Sequence, residues 1–330
     1  MPQAGAVLIN REVTMKLQTR AVMIATLFLV AACGGPAASP GTSPAGSPPA
    51  ETMAPMTDAP ATGATATDGP AGSPTGDDLL DRIQEQGFIR VSTDPNYAPQ
   101  SFLNEQGELD GFDVAVAREI GERLGVEVRF ETPDWLAITA GSWSDRWDMS
   151  VGSMTVIEER EEVLDFTQPY YYTPAQIAVL DSSPAQTIDD LAGEVICAGE
   201  ATTYVLWAEG DLTLGEGGEI AREAPDGMTI TTLTTDAECA QAMRAGRTEF
   251  TSWISSSTTV DAAIAEDIPL REVGEPVFYE PLAVAFDKSG PAHDQLVAEV
   301  DRIIGEMHSD GTLSELSTEW FDGVDFTVTE

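Results

Sequence analysis

Hydrophobic and polar residues follow two spacings along this chain, one typical of helices and one of buried strands. Phe112, Val116, Ile120 and Leu124 are spaced four apart and predict one apolar face of a helix that ends at Gly125. Short apolar runs bounded by turn residues predict strands. We expect strands at 88–92, 126–130 and 148–151, and helices at 78–86, 112–124 and about 135–140. This alternation predicts an α/β fold with mainly parallel strand pairing.

The alternation begins again after Leu191, which predicts a second structural unit. We expect strands at 194–197, 229–233 and 248–253, and helices from about 203 and at 236–245. Apolar periodicity predicts two further helices, at 294–307 and 313–320. From residue 77 onwards the chain is long enough for one large domain or two smaller ones.

The first 32 residues have the pattern of an export signal. Arg11, Lys16 and Arg20 precede an uncharged, largely apolar run at 21–32, which is short for a membrane span and typical of a signal peptide. The sequence VAACG at 30–34 resembles a lipoprotein cleavage box, so we expect Cys33 to become the lipidated first residue of the mature protein. The alternative is a plain secretory signal with an incidental cysteine.

The segment from Cys33 to residue 76 is rich in Pro, Ala, Gly, Ser and Thr and has very few bulky apolar residues. Such a composition buries too little surface to offset the entropy lost on ordering the chain, so it predicts a disordered tether. A glycosylated, mucin-like stalk is the alternative.

The chain is strongly acidic, with a formal net charge of −40 at pH 7. Removal of residues 1–32 leaves 13 basic and 55 acidic residues, a net charge of −42. This balance argues against a nucleic-acid partner and against docking on an anionic membrane surface. The acids are spread along the chain, which favours a solvated acidic surface over a dedicated cation site.

Four sequence blocks stand in a fixed order: TDPNYAP at 93–99, DGFDVA at 110–115, GSMT at 152–155 and LDFTQPYYY at 164–172. This order and spacing resembles the polar amino-acid family of extracellular solute-binding proteins, which feed ABC importers. The resemblance extends from about residue 79 to residue 321. It implies a periplasmic-binding-protein-like fold of type II, the two-lobed Venus flytrap.

The resemblance also implies how the chain is divided. We expect lobe 1 at 77–176 plus 279–330 and lobe 2 at 177–278, with ligand in the cleft between them. The chain is expected to cross between the lobes at about 172–180 and 276–285, and the lobes are expected to close about hinges in these two crossings.

Arg160 matches the arginine with which the family holds a ligand carboxylate. A guanidinium suits this role because it pairs with a carboxylate through two parallel hydrogen bonds and stays charged. The alternative is an exposed helix arginine paired with Glu159 or Glu161. The residues that match the family's other backbone and hydroxyl donors to this carboxylate are Gly152, Ser153, Thr155, Thr202 and Thr203. Ala201 stands where the family commonly has glycine.

Tyr97 and Trp135 match aromatic positions that cover the ligand's side chain in the family. Asp94 matches an acidic position near the ligand's polar end, although a turn-forming aspartate before Pro95 is the alternative. The sequence departs from the family after Gly246, where Ile254 stands in place of the usual aspartate that neutralises the ligand's α-amino group.

Another acid, Asp94 or Glu280, is therefore expected to replace that counter-ion, unless the ligand lacks a conventional α-amino group, because a buried ammonium without a partner is unfavourable. Trp253 could stack on the ligand or offer a cation–π face, and core packing is an equal alternative.

Cys197 and Cys239 remain once Cys33 is assigned to lipid. Outside the cytoplasm such a pair is expected to be oxidised, and the resembled fold places both cysteines in one lobe. Two buried free thiols are the alternative. With only two histidines, the sequence offers no convincing metal cluster, and it has no phosphate-binding glycine loop or nucleophile elbow.

Two functions fit these observations. The first is an extracytoplasmic binding lipoprotein, monomeric and without a cofactor, that presents an amino acid or related small carboxylate to an ABC permease. The second is a periplasmic enzyme of the same fold, similar to cyclic amino-acid dehydratases. An enzyme needs an acid or base in the cleft, and Asp94 and Glu280 are the only candidates.

Overall fold

The computed structural model describes residues 78–328. The expected signal peptide at 1–32, the lipidation site Cys33 and the tether to residue 76 lie outside the described residues.

Strands and helices alternate through this part of the chain as the hydrophobic pattern predicts. The strands are β1 (Phe88–Ser92), β2 (Asn96–Tyr97), β3 (Ser101–Leu103), β4 (Leu109–Asp110), β5 (Glu127–Glu131), β6 (Met149–Thr155), β7 (Leu164–Leu180), β8 (Val195–Gly199), β9 (Glu219–Ile220), β10 (Thr229–Leu233), β11 (Ser252–Ser256), β12 (Leu270–Glu272) and β13 (Phe278–Asp287). The helices are α1 (Leu79–Gln86), α2 (Phe112–Leu124), α3 (Trp135–Thr139), α4 (Glu158–Glu161), α5 (Thr203–Glu209), α6 (Asp236–Arg244), α7 (Ser257–Ala265), α8 (Asp294–Asp310) and α9 (Thr312–Trp320).

Helix boundaries follow local chemistry. Asp78 accepts a hydrogen bond from the backbone N–H of Leu80 at 2.9 Å and so caps α1. Helix α2 ends at Gly125, whose φ of 73° is in the left-handed region that glycine tolerates best. Its predicted apolar face is buried, with Phe112, Val116 and Ile120 each 0% exposed.

One large sheet runs through the described part, with the strand order β10-β8-β11-β7-β13-β6-β1-β5. Pairs such as β1 with β5 and β8 with β10 are parallel, whereas β7 and β13 pair antiparallel with each other and with their neighbours. The sheet is therefore mixed, and the expectation of mainly parallel pairing is wrong. Strands β12 and β9 pair with β7 and β13, and β2, β3 and β4 form a separate small sheet.

Two groups of buried side chains lie at opposite ends of this sheet. The first core includes Tyr171 of β7 and Leu282 of β13, together with Ile83 and Phe321. The second core includes Ala175, Ile177 and Val179 of β7 and Val277 and Phe278 of β13, with side chains from β8, β11 and α5. Strands β7 and β13 therefore pass from one core to the other. The lobe boundaries expected at 176/177 and 278/279 stay a prediction.

A disulfide joins Cys197 on β8 to Cys239 on α6, and it is the pair expected from the sequence. Both cysteines are 0% exposed and pack in a third group of buried side chains beside the second core. The bond therefore fastens a helix of this region to the sheet.

Among residues 78–328, no helix combines the length and the hydropathy that a bilayer crossing requires. Within the same range, His, Cys, Asp and Glu side chains form no group of three that could hold a metal ion.

Candidate functional site

A cleft of about 500 Å³, counting its open mouth, lies between the two cores. Ten of the eleven ligand contacts expected from the sequence line it. These ten are Asp94, Tyr97, Trp135, Gly152, Ser153, Thr155, Arg160, Thr202, Thr203 and Glu280. Their contacts with a ligand stay a prediction.

Arg160 is buried at the centre of this cleft, with only 6% of its surface exposed. Its Nη1 donates to the carbonyl oxygen of Thr155 and its Nη2 to that of Ala201, both at 3.0 Å. Burial lowers the pKa of the guanidinium to about 10, while the charge of Glu280 opposes that shift, so the group remains charged at neutral pH. Within residues 78–328 neither Glu159 nor Glu161 forms an ion pair with Arg160, in contrast to the exposed-arginine alternative.

The carbonyl oxygen of Ala201 accepts hydrogen bonds from two side chains of the cleft. It accepts the Arg160 bond and a second hydrogen bond from Trp135 Nε1 at 3.2 Å. Ala201 has φ 58°, the left-handed conformation that the family's glycine adopts easily and that raises the energy of other residues by about 1–2 kcal/mol. The turn expected from the family is therefore kept here without its glycine.

Glu280 lies against residues that we expected to hold the ligand's carboxylate. Its Oε2 accepts from the hydroxyls of Thr155 at 2.5 Å and Thr203 at 2.7 Å, and its Oε1 accepts from Tyr204 at 2.9 Å. The side chain is 2% exposed, and burial raises the pKa of its carboxyl group. The two threonine hydroxyls are therefore directed at a carboxylate of the protein itself.

Ser153 turns its hydroxyl away from the expected ligand position. The Oγ donates to Asp113 at 2.7 Å, and Asp113 also accepts from Tyr170 at 2.6 Å. Asp113 is 0% exposed, and burial raises the pKa of its carboxyl group to about 7. The hydroxyl of Thr202 likewise bonds locally, to the carbonyl oxygen of Gly199 at 2.8 Å. The hydroxyls of Ser153 and Thr202, which we expected to donate to the ligand, therefore donate to other groups of the protein.

Asp94 has the turn-forming role and also a position in the cleft, while its contact with a ligand stays a prediction. Its Oδ1 accepts from the backbone N–H of Asn96 at 2.9 Å, which is the turn-forming role, and its side chain also lines the cleft. Burial raises the pKa of this carboxyl group. The Tyr97 hydroxyl lies 3.1 Å from that of Tyr204, so these two aromatic side chains meet across the cleft.

Trp253 does not reach the cleft. The indole is 0% exposed and packs beside the disulfide, as the core-packing alternative required. Ile254 is also 0% exposed and belongs to the second core. The strand expected at 248–253 is wrong in its bounds, since β11 spans Ser252–Ser256 and its sequence has little apolar alternation from which its start could be predicted.

Asp236 and Tyr204 also line the cleft, although neither was predicted from the sequence to lie there. Asp236 is 6% exposed, and its Oδ1 accepts from the backbone N–H of Gly199 at 2.7 Å. Burial, with the nearby charges of Glu280 and Asp94, raises the pKa of its carboxyl group to about 7. In the sequence, Asp236 is indistinguishable from an ordinary first-turn helix acid, which explains why it was missed.

Comparison with known proteins gives a consistent result. The sequence model of the bacterial extracellular solute-binding proteins, family 3, matches residues 89–323. The L-cystine-binding protein TcyJ of Escherichia coli is 29% identical over 251 residues, which are 76% of this chain and 88% of that protein.

Two solved structures resemble the chain throughout its described part. A mutant of the arginine-binding protein from T. maritima has a TM-score of 0.63 at 23% identity, covering 74% of this chain and 99% of that one. An ancestral amino acid-binding protein, a precursor of cyclohexadienyl dehydratase, has a TM-score of 0.61 at 27% identity, covering 73% and 99%. The two-lobed α/β fold expected from the sequence is confirmed.

Proposed function

Because the chain belongs to the bacterial extracellular solute-binding proteins of family 3, we propose that it captures an amino acid or a related small carboxylate in this cleft. It passes that ligand to the membrane subunits of an ABC importer. The observation that carries the proposal is the buried guanidinium of Arg160, which lies in a cleft lined by side chains from both cores.

The guanidinium keeps the capacity that a ligand carboxylate needs. An arginine side chain has five N–H donors, and two of those of Arg160 bond to backbone carbonyl oxygens. The remaining donors suit a bidentate pair with a carboxylate. Trp135 supports the arginine from one side, with its ring centroid 5.6 Å from the guanidinium carbon.

Ile254 cannot act as a counter-ion for the ligand's α-ammonium group, and an acidic side chain of the cleft takes this role instead. Asp236 joins Asp94 and Glu280 as a candidate, since all three line the cleft. Asp236 is the candidate that sequence reasoning lacked, and its carboxylate is held in place by the N–H of Gly199.

A thermal-shift panel tests this function. We expect one of the standard amino acids or L-cystine to raise the melting temperature, because a ligand at a hundredfold excess over its Kd stabilises the folded state by about 2.7 kcal/mol. The methyl ester of the same ligand is the control, since it lacks the carboxylate that Arg160 holds. If every amino acid leaves the melting temperature unchanged, the proposal is wrong.

A periplasmic enzyme of the same fold is the second candidate. The observation that favours it is that two buried acids, Asp236 and Glu280, line the cleft, where burial raises the pKa of each carboxyl group. Mass spectrometry of the ligand after incubation separates the two functions. Unchanged ligand supports binding, and a converted product supports catalysis.

We also propose that the protein works outside the cytoplasm as a monomer anchored through lipid on Cys33. The anchor is supported by the sequence VAACG at 30–34 and the tether-like composition that follows. We expect Cys33→Ala to leave an unprocessed or released protein, because acylation needs the thiol. Fractionation and intact-mass measurement check this, with Ser39→Ala as the control. An acylated, membrane-bound Cys33→Ala protein would contradict the anchor.

A further inference from the structure

Glu280 sits where the two ends of the sheet meet. It lies on β13 opposite Thr173 of β7, between the last second-core residue of β13, Phe278, and the first-core residue Leu282. From this position its carboxylate accepts from Thr155 on one side of the cleft and from Thr203 and Tyr204 on the other. The carboxylate is thus bonded to both sides of the cleft.

Neutral hydroxyls, and no cationic side chain, satisfy this buried anion. Within residues 78–328 no Lys, Arg or His nitrogen lies within ion-pair distance of Glu280, and Arg160 bonds to backbone carbonyl oxygens instead. A carboxylate accepts about four hydrogen bonds. Three are made here, and Oε1, which has a single donor, has room for another N–H.

Apart from Arg160, the ionisable Asp, Glu, Lys, Arg and His side chains that line the cleft are all acidic. Its lining contains four carboxylates, Asp94, Glu200, Asp236 and Glu280, against the single guanidinium of Arg160. Asp236 lies close enough to Glu280 and Asp94 for their charges to favour its protonated form. Acidic side chains therefore outnumber basic ones in this lining.

We propose that the carboxylate of Glu280 occupies the threonine hydroxyls that would otherwise bind the ligand's carboxylate. Together with Asp236, it selects an amino acid of net positive charge. This inference rests on the function proposed above. The ligand's carboxylate pairs with Arg160, and the ammonium or guanidinium group of its side chain donates to the free position on Glu280 Oε1. Glutamate-like ligands are rejected because their second carboxylate would enter a buried site already occupied by like charges.

Calorimetry with L-arginine, L-lysine, L-glutamine and L-glutamate near neutral pH tests this selection. We expect the unmodified protein to bind a basic amino acid at least about tenfold more tightly than glutamine, which is a difference of about 1.4 kcal/mol, and to bind glutamate weakest. In Glu280→Gln, the affinity for the basic ligand should fall by about tenfold or more, while that for glutamine changes by less than about threefold.

Two further variants separate charge selection from damage to the fold. Asp236→Asn should shift selectivity in the same direction as Glu280→Gln. Glu209→Gln removes an equivalent charge from the exposed end of α5, outside the cleft lining, and should change no affinity. Melting temperatures measured without ligand identify a variant that has simply lost stability, in which case Asp236→Asn decides.

Two results would overturn the inference while leaving the proposed function intact. One is an unmodified protein that binds glutamine or glutamate as tightly as arginine and lysine. The other is a parallel loss of arginine and glutamine binding in Glu280→Gln, which would make Glu280 a structural residue or the partner of the α-ammonium group that both ligands share. If no amino acid binds the unmodified protein, the proposed function fails and this inference fails with it.

Discussion

Replacing Arg160 with alanine is expected to weaken ligand binding at least about thirtyfold. Removing one partner of a buried, hydrogen-bonded charge pair raises the free energy of a complex by about 2–5 kcal/mol, because the other charge is left without its partner. Arg160 is the single base that lines the cleft, so no neighbouring lining residue replaces it. Calorimetry on the purified protein measures the loss.

Arg160→Lys provides a second test of the same contact. Lysine keeps the positive charge but lacks the planar fork that pairs with both carboxylate oxygens, so its affinity should stay well below that of the unmodified protein. Arg244→Ala is the matched control, because Arg244 is exposed in the last turn of α6 and outside the cleft lining. Unchanged affinity in Arg160→Ala would refute the carboxylate role of this residue, whatever the ligand.

Removing the disulfide is expected to lower the free energy of unfolding by about 2–4 kcal/mol. The bond closes a loop across a sequence separation of 42 residues, and an unfolded chain gains conformational entropy when such a loop is opened. The double variant Cys197→Ala with Cys239→Ala removes the bond together with its two buried sulfur atoms, and reduction of the parent removes the bond alone. Chemical denaturation of the variant and of the oxidised parent gives the difference.

Both cysteines are replaced together so that no single buried thiol is left to form a bond with another molecule. Ala240→Gly is a useful comparison, since it perturbs the same helix α6 without affecting the bond. Thiol labelling of denatured, unreduced protein should leave Cys197 and Cys239 unmodified. Labelling of both residues, located by peptide mapping, would show that the bond is absent from the exported protein.

Local patterns predicted the elements that carry strong periodicity. Helix α2 follows from four apolar residues spaced at four, and Gly125 marks its end because of its left-handed backbone. The position of strand β11 was predicted too near the N-terminus, because three of its five residues are serine and show no apolar alternation. The long strands β7 and β13 were expected only as crossings between the lobes, on the basis of the family resemblance, and their prolines at 169, 174 and 281 weaken a strand pattern.

The set of residues around the cleft was accessible through family resemblance, but the bonds among them were not. Glu280 is separated by 125 residues from Thr155 and by 77 from Thr203, so no local pattern links them. The resemblance directs those threonines at a ligand, and only the folded chain shows the resident carboxylate between them. Asp236 was missed for a similar reason, because its neighbours in space, Gly199 and Glu280, are distant in sequence.

The passage of β7 and β13 between the cores has a consequence for the order of folding. The first core needs Ile83 near the start of the described chain and Phe321 near its end, whereas the second core is built from residues between its two halves. During synthesis, which proceeds from the N-terminus, the side chains of the second core are complete before those of the first core. The first core can be completed only when α8 and α9 have emerged.

Until then, the first strands of the first core are separated from their later partners by a loop of roughly 100 residues. The entropy lost on closing that loop is smaller once the middle of the loop has folded. We therefore expect the inserted part of the chain to fold before the part that encloses it. A variant that weakens the second core should then delay folding of the whole molecule and leave strands of the first core exposed to aggregation.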